Sequence, residues 1–355
     1  MEERAENLRD ELSLTGVDGF LVQSLHNVRY LCGFTGTSGS IVLSSGRNFF
    51  ITDPRYTLQA RSEVKGFGIR VYRRPAEGIA GVIKGLGLKD VGFESRVLTY
   101  DTYRKLKRAL PGVRLKPTTD VVEKKRMVKD SSELGHIRKA VEIGDIGFRK
   151  AEAKITLGQT EKGVALSIEE GVKKKGAEAM AFDVIVASGK RSALPHGVAS
   201  AKRIKKGEFV IVDMGVSFEG YKSDKTRTYA VGRVSALHKK IYNIVKNAQE
   251  KAIENIKAGV AAKKVDVAAR DYIRRAGYGR FFTHGTGHGV GLEVHERPAI
   301  NPISRDVLEE GMVVTVEPGI YIEDFGGVRI EDMVVVRSGG CEILTGGSRE
   351  LRILE

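Results

Sequence analysis

Two stretches of this chain constrain its fold most, because each ends a run of β-branched residues on a carboxylate. Each is followed, one tight turn later, by a second carboxylate. In the first, Glu208-Phe-Val-Ile-Val-Asp213-Met-Gly precedes Gly220-Tyr-Lys-Ser-Asp224; in the second, Met312-Val-Val-Thr-Val-Glu317-Pro-Gly precedes Gly327-Val-Arg-Ile-Glu331-Asp. Paired as a hairpin turning about Phe218-Glu219, the first sets Asp213 opposite Asp224. The second, centred on Asp324 with Gly326 and Gly327 beside it, sets Glu317 opposite Glu331. Like charges facing each other across a strand pair are destabilising. Burial adds desolvation to the repulsion. An arrangement that costs this much, present twice, calls for bound counter-charge, and two divalent cations neutralise four carboxylates.

A third stretch supplies nitrogen. His284-Gly-Thr-Gly-His288-Gly-Val-Gly-Leu-Glu-Val-His295-Glu296 holds three of the seven histidines, spaced by four glycines. Glycine at that density argues against a helical metal pair of the HExxH kind. Read as a bent strand, it keeps His284 and His288 on one face. His288 can complete a set with Asp213, Asp224, Glu317 and Glu331. Such an oxygen-rich site with one nitrogen suits manganese, cobalt or zinc better than a structural thiolate zinc.

The chemistry that follows is hydrolysis. Two metals sharing a water lower its pKa to give a bridging hydroxide and polarise a substrate carbonyl. Glu317 is placed to take the proton and pass it to a leaving nitrogen. His196, in Leu194-Pro-His196-Gly, joins His284 and His295 as candidates to hydrogen-bond the oxyanion and the substrate backbone. A metal-free carboxylate pair, as in a glycosidase, needs neither five ligand-type residues nor the histidines.

The order of elements places these motifs in an α+β architecture of two domains. An amphipathic helix is expected over residues 1–16, with Leu8, Leu12 and Leu14 on its apolar side. Strands follow at Gly19-Phe-Leu-Val, Gly39-Ser-Ile-Val-Leu-Ser and Asn48-Phe-Phe-Ile-Thr-Asp, then helices near 54–64, 75–86 and 100–110. That alternation gives a smaller α/β N-terminal domain over 1–123. Arg55 there reads as a surface group that could reach a neighbouring active site. The charged segment Glu123–Asp130 marks the boundary, and Asp130 with Glu133 resembles a capping box. From 124 to 355, helix, helix, strand and acid-bearing hairpin occur twice, about a hundred residues apart, which reads as an internal pseudo-twofold duplication.

Composition excludes several classes. In 355 residues no apolar run is long enough to span a bilayer, and the charged N-terminus lacks a signal peptide. Cys32 and Cys341 stand far apart, without CxxC spacing. A cytoplasmic protein with no membrane partner is expected. The net charge of +14 raises nucleic acid as a partner. The basic residues are dispersed, Trp is absent and no nucleic-acid-binding motif occurs, so a solvated surface and no nucleic-acid partner are expected.

The motifs resemble the pita-bread metallopeptidases, and within them the Xaa-Pro peptidases, aminopeptidase P and prolidase. The His284–Glu296 stretch fits that branch's signature along its full length. Val212-Asp213-Met-Gly-Val, Tyr221-Lys-Ser-Asp224, Val316-Glu317-Pro-Gly and Arg329-Ile-Glu331-Asp are similar to its other metal motifs. Gly33-Phe-Thr-Gly-Thr-Ser-Gly and Thr52-Asp-Pro-Arg-Tyr56 resemble its N-terminal domain. The resemblance implies a dinuclear site, manganese first and cobalt or zinc as alternatives, on Asp213, Asp224, His288, Glu317 and Glu331. It further implies that His196, His284 and His295 bind substrate or stabilise the intermediate, with Arg329 near the site. Cleavage between an N-terminal residue and a following proline, and a homodimer, are implied as well. A methionine aminopeptidase or a non-catalytic peptide-binding protein of the same fold is the alternative. Lys225 departs from the family's apolar residue beside Asp224, and is expected to point outward from the strand.

Overall fold

The computed structural model describes residues 4–6, 8 and 16–355. The helix expected over 1–16 lies mostly outside them. The chain divides into two compact units, Met1–Arg126 and Met127–Glu355. None of the described helices is long and apolar enough to cross a membrane.

The first unit is a six-stranded sheet of β1 (Gly19–Val22), β2 (Ser40–Ser44), β3 (Phe49–Thr52), β4 (Gly68–Val71), β5 (Asp90–Glu94) and β6 (Arg114–Thr118). Its strand order is β4-β3-β2-β1-β5-β6. The strands β1, β2 and β3 pair antiparallel; β4, β5 and β6 join in parallel. Helices α1 (Leu25–Cys32), α2 (Thr57–Glu63), α3 (Pro75–Gly85) and α4 (Tyr100–Ala109) connect them, and α5 (Val121–Met127) follows. Leu21, Val42 and Val91 pack on Ile79, Ile83 and Leu106 to form its core. Helix α1 is not anticipated by the periodicity, being only eight residues long. Its ends carry the signals, however: Ser24 caps the N-terminus, and Gly33 closes it at φ +83°. Arg55 is exposed and forks onto Asp53.

The second unit opens on α6 (Ser131–Lys154), and here the capping box is made in full: Asp130 accepts from the Glu133 N–H, and Glu133 accepts from the Asp130 N–H. Helix α7 (Glu161–Lys173) packs along it. Strands β7 (Ala179–Met180), β8 (Ile185–Ser188), β9 (Phe209–Met214), β10 (Val216–Phe218), β11 (Tyr221–Lys222) and β12 (Lys225–Val231) complete the first half. The second half repeats the order with α8 (Ala236–Glu254) and α9 (Ala262–Arg275), then β13 (Gly287–Gly289), β14 (Glu296–Ile300), β15 (Val313–Val316), β16 (Gly319–Ile322), β17 (Gly326–Arg329), β18 (Asp332–Val336), β19 (Cys341–Ile343) and β20 (Ile353–Leu354). Each half has its own core. Val164, Ile168, Val186, Val210 and Val212 centre the first, and Val245, Ala269, Val314, Val316 and Val334 the second. The duplicated α+β organisation read from the sequence is what the chain adopts.

The two hairpins differ in how well their register is anticipated. In the second, Gly319↔Arg329 and Val316↔Asp332 frame the acids, so Glu317 does stand opposite Glu331. The loop is centred on Asp324, whose φ is +62°. In the first, Asp213 pairs with Thr226, not Asp224. The turn is Glu219-Gly220, both at positive φ (47° and 74°), between the paired Phe218 and Tyr221. Two consecutive positive-φ residues make the tight turn whose twist matches a hairpin, and glycine fits its second position. Moving the turn one residue along leaves Asp224 diagonal to Asp213 but on the same face.

Candidate active site

All nine residues singled out from the sequence line one cavity of about 490 Å³ in the second unit: His196, Asp213, Asp224, His284, His288, His295, Glu317, Arg329 and Glu331. Two strand-end acids come from each half, and direct bonds join the halves behind them. The Thr226 hydroxyl on β12 donates to Glu331 Oε2 at 2.7 Å, and the Glu331 N–H donates to the Thr226 carbonyl at 3.1 Å. Thr228 Oγ1 donates to the Arg329 carbonyl at 2.8 Å. Close backbone approach holds the histidine strand against β15. A Cβ on Gly287 would lie 2.0 Å from the Thr315 carbonyl oxygen, so only glycine fits there.

Ligand-type atoms of Asp224, His288 and Glu331 all lie within 4.8 Å of one another. His288 Nε2 is 3.3 Å from Glu317 Oε1 and 3.7 Å from Asp224 Oδ2. Its Nδ1 is 3.1 Å from the Gly289 carbonyl. A carbonyl only accepts, so Nδ1 carries the proton and Nε2 faces the acids. Asp213 Oδ2 accepts from Arg329 Nη2 at 2.7 Å. Its Oδ1 is buried with no hydrogen-bond partner.

The electrostatics describe an over-anionic pocket. Burial, then the neighbouring Asp213, pushes Asp224 well above the ordinary carboxylate range. Burial and the charge of Asp224 do the same to Glu331. Asp213 is raised by burial against the opposing pull of Arg329. Burial also acts on Glu317, but the hydrogen bond and charge of His288 outweigh it and hold Glu317 low. His288 is correspondingly raised, despite burial, by the same hydrogen bond. A donor set of four carboxylates and one imidazole, with an unpartnered buried oxygen on Asp213, fits divalent cations. The protein supplies too little positive charge of its own to balance those acids.

Around this centre the other residues arrange themselves in layers. Arg329 is buried and donates to Asp213, to the Tyr321 hydroxyl (2.8 Å), to the Pro195 carbonyl (3.0 Å) and to Thr226 Oγ1 (3.1 Å). His284 Nδ1 is 2.7 Å from the Gly285 carbonyl, and Nε2 is 2.8 Å from the Tyr321 hydroxyl. Burial lowers the His284 pKa, so the neutral ring donates at Nδ1 and accepts from Tyr321 at Nε2. The His295 ring lies 4.2 Å from that of His288, and burial lowers its pKa too. Phe182, Ile185, Val198 and Ala299 give the cavity an apolar wall.

Tyr321, Thr226 and Thr315 escape the sequence reading. Thr315 Oγ1 donates to Glu317 Oε1 at 3.3 Å. Both threonines had a signal, since each is two residues from a strand acid and so shares its face. Tyr321 had none: it reaches the site from β16, beyond the Pro318 break. Lys225 points away from the acids as expected, but into the protein rather than to solvent. It is buried, 2.7 Å from Asp145 Oδ1 and 4.3 Å from the centroid of the Phe148 ring.

Comparisons with known proteins agree with this geometry. The model of metallopeptidase family M24 matches residues 135–338, and that of the creatinase/prolidase N-terminal domain matches residues 4–128. An Xaa-Pro dipeptidase of Pyrococcus horikoshii is 40% identical over 352 residues, 99% of each chain. The solved Xaa-Pro dipeptidase from Bacillus anthracis aligns with a TM-score of 0.97 at 45% identity over 99% of both chains. An X-Pro aminopeptidase from Thermotoga maritima aligns with a TM-score of 0.90 at 39% identity, over 99% of this chain and 100% of that one. The duplicated fold, the acid-rich cavity and these matches together assign the chain to metallopeptidase family M24, as a hydrolase of the prolidase-like group that carries a creatinase/prolidase N-terminal domain before its pita-bread fold.

Proposed function

We propose that this chain hydrolyses the bond between an N-terminal residue and a following proline, using two divalent cations held by Asp213, Asp224, His288, Glu317 and Glu331. The observation that carries the reading is the convergence of those five side chains on one cavity, with an unpartnered buried oxygen on Asp213. The names of the relatives support the substrate class, since those at 40% and 45% identity are called Xaa-Pro dipeptidases. Bound manganese, cobalt or zinc would supply Lewis acidity, activating water and polarising the scissile carbonyl.

The chain's own residues do the rest. Glu317 takes a proton from the attacking water and delivers it to the departing proline nitrogen, a secondary amine that needs it to leave. His295 and His196, which both line the cavity, hydrogen-bond the peptide's carbonyl oxygen as charge develops there. Arg329 fixes Asp213, and through Tyr321 it fixes the tautomer of His284. Proline after the scissile bond offers no N–H and a fixed ring. The apolar wall of Phe182, Ile185 and Val198 suits recognition by shape. Residues 124–355 form the catalytic domain in this reading, and 1–123 a non-catalytic one. The working form is a cytoplasmic homodimer.

The test is hydrolysis of Ala-Pro and Ala-Pro-Ala by protein stripped of metal and reloaded separately with Mn²⁺, Co²⁺ and Zn²⁺. Cleavage of the dipeptide alone marks a dipeptidase; cleavage of both marks an aminopeptidase. Turnover on neither substrate with any metal, or turnover undiminished by chelation, would overturn the proposal.

A further inference from the structure

Two buried acids, one in each half of the second unit, take no part in lining the cavity. Asp266 on α9 is fully buried and accepts from Arg270 Nε at 2.8 Å and Nη2 at 2.9 Å. Its Oδ1 also accepts the Thr286 N–H at 3.1 Å and the Thr286 hydroxyl at 2.9 Å. Arg270 in turn donates Nη2 to the His284 carbonyl at 2.7 Å and Nη1 to the Phe282 carbonyl at 3.1 Å. Its guanidinium lies 4.3 Å from the centroid of the Phe282 ring. His284 is thus gripped at its own carbonyl, two residues before and two residues after.

The other half uses the same device on different residues. Glu161, the first residue of α7, is fully buried. It accepts from the Ser188 N–H and hydroxyl (2.8 and 2.9 Å), the Ser200 N–H and hydroxyl (3.1 and 2.6 Å) and Arg191 Nε (3.1 Å). Arg191 Nη2 donates to the Val198 carbonyl at 2.6 Å. These contacts bracket His196. In each half, an acid on the second helix holds an arginine, and the arginine holds a carbonyl of a histidine loop.

We infer that the Asp266–Arg270 and Glu161–Arg191 pairs are positioning devices that set His284 and His196 against the substrate cavity. The inference rests on the peptidase reading of those histidines. A loop with glycines at 285 and 287 has wide backbone freedom, whereas a helix is stiff. A guanidinium offers donors in one fixed plane, so Arg270 ties its helix to two carbonyls, and Arg191 spans from Glu161 to one; an ammonium lacks that fork. Displacing a catalytic-site group by about 1 Å costs on the order of a hundredfold in rate.

Arg270→Lys and Arg270→Ala decide the matter, assayed in full-length metal-loaded protein alone and combined with His284→Ala. Arg270→Ala is expected to lower kcat at least about tenfold, with a smaller change in KM and unaltered metal content. Arg270→Lys should restore only part of it. In the His284→Ala background, the same change should cost less than about twofold, because its effect passes through His284. An equal factor in both backgrounds overturns the inference. Independently of turnover, ¹⁵N-histidine spectra of metal-free Arg270→Lys should show the His284 ring signals displaced and those of His238 in place; unmoved His284 signals also overturn it. Should Arg270→Ala fail to fold, Arg270→Lys carries both readouts. Wild-type turnover in His284→Ala would remove the histidine from the peptidase reading, while the spectra still decide the positioning. Arg191→Lys tested against His196 must give the same pattern.

Discussion

The Thr226 hydroxyl sits 2.7 Å from Glu331 Oε2, binding a strand of one half to an acid of the other. The same oxygen accepts from Arg329 Nε at 3.1 Å, so one threonine orients both an acid and the arginine that holds Asp213. Groups that orient metal-binding carboxylates typically contribute 10–100-fold to affinity or activity. Thr226→Val keeps the shape and removes the hydroxyl. It is expected to weaken metal binding by about tenfold or more, measured by chelator competition, with the fold intact. Unchanged metal affinity would show that Glu331 needs no such support.

Glu331→Gln is expected to separate stability from function. In the metal-free protein, Glu331 is an acid that burial and Asp224 both push toward protonation. The amide removes that repulsion without a change of volume. Metal-free Glu331→Gln should therefore melt higher than the metal-free parent, by roughly 1–2 kcal/mol of stability. It should lose most of the stabilisation that metal gives the parent. Calorimetry with and without chelator reads both quantities, and a lower melting temperature for the stripped variant would contradict the assignment.

The pH dependence of metal-free stability follows with a definite sign. Asp224 and Glu331 have folded pKa values raised above their ordinary 3.8 and 4.5. Their contribution is full below those ordinary values and is lost as pH rises through the raised ones. His288 is also raised, to about 9, and likewise favours the fold at lower pH. Glu317, held low, acts the other way only below about its ordinary 4.5. From pH 5 to pH 8 the stripped protein should lose stability at these residues, while bound cations cancel the repulsion. The gap in melting temperature between loaded and stripped protein should widen steadily over that range. A gap that narrows with rising pH would contradict the argument.

Much of this site was legible in the chain because chemistry that costs stability leaves few alternatives. Four strand-end acids and a glycine-spaced histidine run have little structural reason to coexist, and all nine chosen side chains line the one cavity. The second hairpin's register was readable because Asp324 lies midway between Glu317 and Glu331 with glycines beside it. The first was not, since Phe218-Glu219-Gly220 permits turns one residue apart. The positive φ of Glu219 and Gly220, which selects between them, is a three-dimensional outcome. Helix α1 leaves no readable period in eight residues, although Ser24 and Gly33 mark its ends. Asp266 and Glu161 carry no signal of their role, because nothing in one-dimensional spacing shows which loop a helix will meet.

Lys225 and Asp145 provide a last, asymmetric prediction. The lysine is nearly buried, its side chain 7% exposed, while Asp145 keeps 24% exposure. Burial lowers the Lys225 pKa, so the ammonium depends on Asp145 for compensation, whereas Asp145 can be hydrated without it. Removing one partner of a buried pair strands the other, and the penalty falls on whichever is deeper. Asp145→Asn should therefore destabilise by about 2 kcal/mol. Lys225→Met, which keeps the stem against Phe148, should change stability by less than about 1 kcal/mol. Neither should alter metal affinity, because Lys225 leaves β12 on the face opposite Asp224. Urea denaturation of both variants in the metal-loaded state checks the order. Equal losses would mean the pair acts as a unit, and a greater loss for Lys225→Met would place the buried cost on the acid instead.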